Sequence, residues 1–471
     1  MMLLTSRRWF RVAVVIAAFV VVVDLLLTVR VYTPGAKLAP LHVSSPLDRE
    51  IASHASLNFG SGGGNTTAEA GSSGGNGEGG KGGKKVKERE KEKLYIASIH
   101  WNDAEILSSH WIPALLDLVR EYGKENLFIS ILESGSWDEA KDLLRSLDSL
   151  LGALGVERSI VLEDGTREDD IAKGPGDGEE GKKGWVWGTR GKMEMRRVPY
   201  LAAARNRAMM PLKELGMREG EGRRVFEKVV WLNDVIFTVR PLYTTSPKCP
   251  QDLHGLQADQ VTTLLATRNG SYAATCALDF SVANKLYDSF AVRDSLGLPA
   301  LTLLWPYFAS PTSRSAILNY APTPVRSCWN GLVIFDSAPF YSGLEFRGID
   351  DSLAQKHVEA SECCLIHSDN VLSGEEGKGV WINPNVRVAY NPEANGKVNG
   401  EGEWPTSYGK VGGVWANRWH LTTGWYLRWK EKWVVDRAVK RWADEEGGRE
   451  EGKWCLADSM QVLVDNGWAH I

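Results

Sequence analysis

From residue 94 the chain alternates short apolar runs with longer stretches whose apolar residues recur every three or four positions. LYIASI (94–99) reads as a buried strand. Asn102 and Glu105 have the spacing of a capping box, opening a helix with apolar residues at Ile106, Leu107, Ile112, Leu115, Leu116 and Val119 that Gly123 ends. LFISIL (127–132) is the second strand. Ser136 with Glu139 repeats the capping spacing ahead of a stripe at Ala140, Leu143, Leu144, Leu147, Leu150 and Leu151. RSIVLED (158–164) is the third strand. A glycine-rich, charged loop over 166–195 follows, then the helical PYLAAARNRAMMPLKELG (199–216) and the apolar FEKVVWLNDVIF (226–237). Strand and helix in strict alternation predict an α/β domain whose central sheet is mostly parallel and covered on both faces. Such sheets bind ligands at the carboxyl ends of their strands. The polar residues to inspect are therefore Asn102, Glu133, Ser134, Glu163, Asp164, Asn233 and Asp234.

Other patterns bracket that domain. Arg7, Arg8 and Arg11 precede an apolar run, and residues 9–29 supply about the 20 residues a membrane-spanning helix needs. With the arginines on the cytoplasmic side, the expected organisation is a tail over 1–8, an uncleaved anchor over 9–29 and a lumenal body. Residues 30–93, rich in glycine and then in alternating charge, cannot bury a core and predict a disordered stem. The main folded body is placed at 94–400, with a tryptophan-rich extension at 401–471. There Trp425, Trp429 and Trp433 fall on one helical face, expected to pack against the sheet domain, with a membrane-surface role as the alternative.

Composition narrows the classes. With 43% hydrophobic residues the chain can build a sizeable core, and a net charge of −4 excludes a general nucleic-acid binder. Six cysteines without a CxxC pair suit lumenal disulfides better than a zinc site, and the adjacent Cys363 and Cys364 are expected to face different ways. Asn65-Thr-Thr and Asn269-Gly-Ser are glycosylation sequons. No GxGxxG follows the first strand, no P-loop motif occurs, and outside the glycine-rich stretch before residue 94 there is no nucleophile-elbow motif.

Seven stretches in order carry a likeness: ILESGSWDEAKDLL, RRVPYLAAARNRAM, KVVWLNDVIF, YAATCALDF, RSCWNGLVIFDSAPF, FRGIDDSLAQKHVEASECCLIHSDN and GVWINPNVRVAY. Together they resemble the fungal α-1,3-mannosyltransferases, also called CAP59-like proteins. The resemblance implies a nucleotide-diphospho-sugar transferase (GT-A-like) fold. It also implies a type II membrane enzyme of the Golgi or another secretory membrane, with GDP-mannose as donor, a mannose-containing acceptor, Mn2+ or Mg2+ on the diphosphate, and an α-1,3 product formed with retention.

On this reading Asp234 is the candidate metal or diphosphate ligand, with a strand-end cap as the plain alternative; Asn233 beside it would be a neutral oxygen donor. His367 is the second metal candidate. Arg205 and Asn206 are candidates for the phosphates, and Asn102 and Glu133 for base and ribose. Among the acids of the second half, Asp279, Glu362 and Asp351 are the candidates for the reacting sugar, although Asp350 and Asp351 could equally cap a helix. Trp329 and Asn330 are candidates for the acceptor site. Two other readings remain open: a non-catalytic, membrane-anchored glycan-binding relative, and a glycosyltransferase with another nucleotide sugar.

Overall fold

The computed structural model describes residues 2–32, 91–239, 259–374, 376–400 and 402–471. Residues 33–90 of the expected stem, Asn65 among them, and Cys249 therefore lie outside the described residues.

The three predicted strands form as β1 (Leu94–His100), β2 (Leu127–Glu133) and β3 (Arg158–Leu162), and the opening of VVWLND forms β4 (Lys228–Leu232). Further along come β5 (Ala274–Val282), β6 (Arg293–Asp294), β7 (Thr323–Ser327), β8 (Leu332–Asp336) and β9 (Val380–Ala389). They build one sheet in the order β3-β2-β1-β4-β8-β5-β9-β7-β6. The first four strands are mutually parallel, as the alternation requires. β8 enters antiparallel between β4 and β5, while β9 runs parallel to β5. Insertion of β8 brings the loop before it, 328–331, to the same edge as the carboxyl ends of β1, β4 and β5.

Side-chain alternation sorts the strands onto two cores. Tyr95, Ala97, Val229 and Trp231 face one cluster, which holds Ala204, Ala208 and Leu212 of a long helix, α4 (Arg197–Met217). Leu94, Ile96, Val230 and Leu232 face the other, filled by α2 (Ile112–Tyr122) and α3 (Ala140–Leu154). Full burial of each large apolar side chain contributes roughly 1.5–3 kcal/mol. These pairs, buried on both faces, explain why the strand runs are continuously apolar.

The loops after the strands differ from expectation. Neither capping box forms. Asn102 takes φ +51° and accepts instead from the Trp137 amide, while Asp103 is the cap residue of the next helical turn. The Ser136 hydroxyl receives the Asn102 amide, and α3 starts only at Ala140. Asn102 and Ser136 thus clasp the β1 and β2 loops together. The stretch 166–195 is also more ordered than its composition suggests: Thr166 and Asp169 make a reciprocal capping box for the helix Arg167–Lys173, and Trp185–Trp187 pairs with Met193–Met195.

Two disulfides join distant elements, Cys276 to Cys328 and Cys364 to Cys455; Cys363 is free and buried. The adjacent cysteines therefore do face different ways. The second bond ties α5 (Glu362–Asp369) to the C-terminal extension, which buries Val435, Ala438, Trp442, Met460 and Val462 with Leu353, Ala360 and Leu365.

That extension contains α6 (Ser407–Thr423) and α7 (Trp425–Glu446). Its tryptophan stripe does not pack on the sheet domain. Trp425, Trp429 and Trp433 are 62%, 56% and 49% exposed, because only the second half of α7 reaches the core.

Residues 9–29 fall within one helix, α1 (Met2–Tyr32), whose side chains are described from residue 14. Among the described residues no helix is long and apolar enough to cross a membrane, which departs from the expected span. Asp24 and Arg30 break this run, and Asp24 is ion-paired with Arg418 of α6 at 2.6 Å. Val14, Val15, Phe19, Val20 and Leu25–Leu27 face outward.

Candidate active site

The strand ends of β1, β4 and β5 and the loop before β8 converge on a group of charged residues. At the end of β4, Asp234 is half-buried and its carboxyl is pushed up to about 6. Burial is the main cause, the Asp103 carboxylate is the next, and the charges of His100 and Arg205 offset them. Asp103 comes from the loop after β1. Its Oδ2 meets His100 Nδ1 at 2.6 Å, while its buried Oδ1 has no hydrogen-bond partner. Ser98 gives its single hydroxyl proton to the Leu232 carbonyl, so His100 Nε2, 2.8 Å from that hydroxyl, is left to donate to it. Trp111 packs edge-on against the His100 ring and donates to the Asn233 carbonyl, locking the β1 and β4 ends together.

Asn233 is not a metal donor in this arrangement. Its side-chain oxygen receives the Trp329 indole proton at 3.1 Å. Asn233 therefore fixes Trp329, and Trp329 in turn covers Arg205. The guanidinium lies 4.2 Å from the Trp329 ring and 5.2 Å from the Trp231 ring, and its Nε donates to Glu362 at 3.2 Å. Glu362 opens α5 behind the Ser361 cap. The Arg205 Nη1 atom is buried without a partner.

The second acid group stands at the end of β5. Asp279 is fully buried; it accepts from the Asn330 amide at 2.8 Å, the Asp288 backbone amide at 3.2 Å and the Tyr390 hydroxyl at 3.3 Å. Burial, and then the neighbouring Asp288, push it up to about 7. Asp288 is raised as well, chiefly by burial, and feels both Glu362 and Arg205. Tyr287 packs against Tyr390 at a tilt of 51° with ring centres 4.5 Å apart, and both hydroxyls feel Asp234, Asp279 and Asp288. Gly331 makes the close approach possible: its φ is +73°, and a Cβ there would lie 2.9 Å from both Val235 and Val388.

Of the residues expected from sequence, Asp234, Arg205, Asp279 and Glu362 meet in this group. The others do not. His367 lies on α5 but turns inward: its Nε2 donates to the Cys328 carbonyl at 2.7 Å and its ring stacks on Phe335. Burial lowers it to about 4, so it is a neutral histidine within the core, away from the acid group, and its Nδ1 is buried without a partner. Glu133 is fully buried, its two oxygens accepting from the Ser136 and Glu163 backbone amides, so it presents no face to a ribose. Asn206 pairs with both backbone groups of Phe346, which anchors a loop. Asn102 clasps the β1 and β2 loops as described above. Asp351 accepts from Arg196 at 2.5 Å and from the Gly184 amide, in a buried network where Arg196 also grips Glu359; Asp350 caps the short helix that begins there. Trp329 is buried against Arg205 and offers no face to an acceptor.

Asp103, Asp288, Tyr287 and Tyr390 escaped the sequence reading. Asp103 adjoins Asn102 at a strand end and could have been found by position. Asp288 and Tyr287 sit in a loop with no periodicity, and only folding brings them to Asp279.

Among the described residues no three His, Cys, Asp or Glu side chains form a ready metal cluster. Divalent cations of the hard class take about six oxygens. Asp103, near enough for its charge to raise Asp234 and carrying an orphaned buried oxygen, fits together with Asp234 a cation that takes its remaining oxygens from a diphosphate and water.

Comparison with known proteins gives three results. No curated protein matches. Among solved structures, a mannosyltransferase, PcManGT from Pyrobaculum calidifontis with GDP-Man and Mn2+, aligns at TM-score 0.33 and 12% identity, covering 77% of each chain. GalNAc-T7 with UDP, GalNAc and Mn2+ aligns at 0.36 and 11%, over 76% of this chain and 56% of that one. TarS 1–349 of S. aureus with UDP aligns at 0.32 and 11%, over 75% and 81%. Likenesses this distant carry no weight for the site. The model of the family described as cryptococcal mannosyltransferase 1 matches residues 93–245 and 255–369, more than half of the chain and every residue of the acid group except Tyr390. The chain belongs to the cryptococcal mannosyltransferase 1 family.

Proposed function

We propose that this protein is a membrane-anchored glycosyltransferase that moves mannose from GDP-mannose to a mannose-containing acceptor, forming an α-1,3 bond with retention. The observation that carries the reading is the meeting of Asp103 and Asp234 at the ends of β1 and β4. Two carboxylates at the carboxyl edge of a parallel sheet, one of them with a buried oxygen left unpaired, suit a cation-bound diphosphate. Family membership and the antiparallel β8 within an otherwise parallel half-sheet support a nucleotide-diphospho-sugar transferase fold. The linkage, the donor base and a secretory-pathway (Golgi) membrane, with the body lumenal, rest on the family resemblance.

In this scheme a bound Mn2+ or Mg2+ supplies charge neutralisation for the leaving diphosphate. Asp103 and Asp234 hold it. His100, fixed by Ser98, holds Asp103 through Oδ2 and leaves its Oδ1 unpaired. Arg205 brings a buried positive charge behind the same space, held by Glu362 and the faces of Trp231 and Trp329. Asp279 and Asp288, with Tyr390 and Tyr287, line the adjoining end where the sugar hydroxyls and the acceptor would be placed. Asp279, half-protonated near neutrality, can both donate to and accept from a hydroxyl. The anchor is assigned to the apolar run at the start of the chain from its sequence pattern, since among the described residues no helix is long and apolar enough to cross a membrane.

The test is a donor screen: the purified protein is incubated with labelled GDP-mannose, UDP-glucose and UDP-xylose, a mannose disaccharide, and Mn2+ or chelator. Transfer from GDP-mannose with Mn2+, abolished by chelation and giving an α-1,3 product by NMR, is expected. If GDP-mannose is neither bound nor turned over with any divalent cation, the proposal fails. Binding of the glycan without any turnover would favour the non-catalytic relative.

A further inference from the structure

The exposed aromatic corner between α6 and α7 has an unexplained composition. Trp419, Trp425, Tyr426, Leu427, Trp429 and Trp433 are all more than a third exposed. Trp425, Tyr426 and Trp429 form a continuous ring chain, with centres 6.1 and 6.0 Å apart. Over 425–441 the sequence carries six basic residues against two acids. Large aromatics interleaved with lysine and arginine are the residues that settle at a bilayer's headgroup level, where ring and charge are both satisfied.

The fold says what this corner adjoins. Arg418 of α6 bonds both Asp24 and Thr28 of α1, at 2.6 and 2.8 Å. Further along α1, Tyr32 meets the Trp305 ring edge-on, and the Trp305 carbonyl lies directly under Gly413 of α6. Residues 24 to 32 of α1 thus run past residues 418 to 413 of α6, so the two helices are antiparallel. Continuing α6 from Arg418 to its end at Thr423 advances it by about 7.5 Å at 1.5 Å per residue. The corner therefore sits beside the part of α1 about five residues before Asp24. That is the stretch around Phe19 and Val20, which are 68% and 58% exposed. Arg428 stiffens the corner by donating to the His420 and Leu421 carbonyls at the end of α6.

We infer that the α6–α7 corner is a second membrane contact, seated in the headgroup region of the bilayer that receives α1. The occupant is a lipid surface, because the aromatics are continuous with an apolar helix already facing outward and because the flanking charge is basic. The exposed ion pair at Asp24 follows from the same placement: near a bilayer a lone carboxylate is costly, and Arg418 neutralises it. With two contacts, the body is held in a fixed orientation on the membrane rather than hanging from a single helix.

This inference rests on α1 meeting the membrane, and the test separates the two. The full-length protein is reconstituted into vesicles of phosphatidylcholine and phosphatidylserine that carry a phospholipid with a diazirine close to its headgroup. After illumination, labelled peptides are mapped by mass spectrometry. Label in the α1 peptides and also in the 415–433 peptides is expected, with the second set lost in the full-length Trp425→Ser/Leu427→Ser/Trp429→Ser variant and the α1 label kept. Label confined to α1 overturns the second contact while leaving the anchor standing. No label in either segment overturns both.

Discussion

At the level of single residues the acid group divides by environment. Asp234 shares its space with Asp103 and is held up at about 6, so below that pH it carries a proton and offers a cation less charge. With Mn2+ limiting, turnover should therefore fall as pH drops through 6, and excess Mn2+ should move that limb to lower pH, since the cation binds the ionised form. Asp234→Asn should cut turnover by about a hundredfold or more with an unchanged melting temperature. Unaltered turnover would remove Asp234 from the site. Asp279 makes a different statement, about stability. Its folded value, about 7, stands above the ordinary 3.8 of the unfolded chain, so the unfolded chain releases this proton first as pH rises. The stability of the unliganded protein should thus decline between those two values and level off above 7, by on the order of 4 kcal/mol if Asp279 acted alone. Asp279→Asn removes that slope while keeping an oxygen for the Asn330 amide. The melting temperature of the variant relative to the native chain should rise across the window; a constant difference would show that Asp279 is solvated.

At the level of elements, the site is assembled by the two polypeptide turns that bring β5 and β8 together. Cys276 lies three residues before Asp279 on β5, and Cys328 immediately precedes Trp329 and Asn330. Their disulfide closes a segment with a sequence separation of 52, which in the chain-entropy picture contributes roughly 4 kcal/mol. The Cys328 carbonyl also receives His367, so the same turn is tied to α5 and Glu362. Cys276→Ser/Cys328→Ser should lower the unfolding free energy by about that amount, to be read by chemical denaturation under non-reducing conditions. It should also weaken turnover, through looser placement of Asn330 against Asp279. Strand and helix identity in the first half was legible because its apolar runs and stripes have clear periods. The helix starts were not: Asn102 and Ser136 have cap-like spacing, but each found a stronger partner in the neighbouring loop. The spacing fixes only which partners are near in sequence, whereas these bonds cross 34 and 35 residues.

At the scale of the whole molecule, the C-terminal extension shows how far a pattern reaches. The period of Trp425, Trp429 and Trp433 correctly places them on one face of a helix, but a period cannot say what that face meets. Here the face is turned out beside α1, while Val435, Ala438 and Trp442 take the core position. The donor screen and the lipid-labelling experiment address the two ends of this arrangement, the chemistry at the sheet edge and the seating of the body.

The sequence by itself determined the parallel half of the sheet, the helices on its two faces, the family, and Asp234 at a strand end, because period and order along the chain dictate those features. Only the tertiary structure decided which polar residues work together. Glu133, Asn206 and Asp351 have the right chemistry, but each is consumed by a structural partner, and His367 is buried in the core away from the acid group. Asp103 and Asp288 have no distinguishing pattern, yet they stand beside Asp234 and Asp279. The physical reason is that a carboxylate's role depends on what satisfies its oxygens and on which charges face it. Both are set by contacts between segments far apart in the chain.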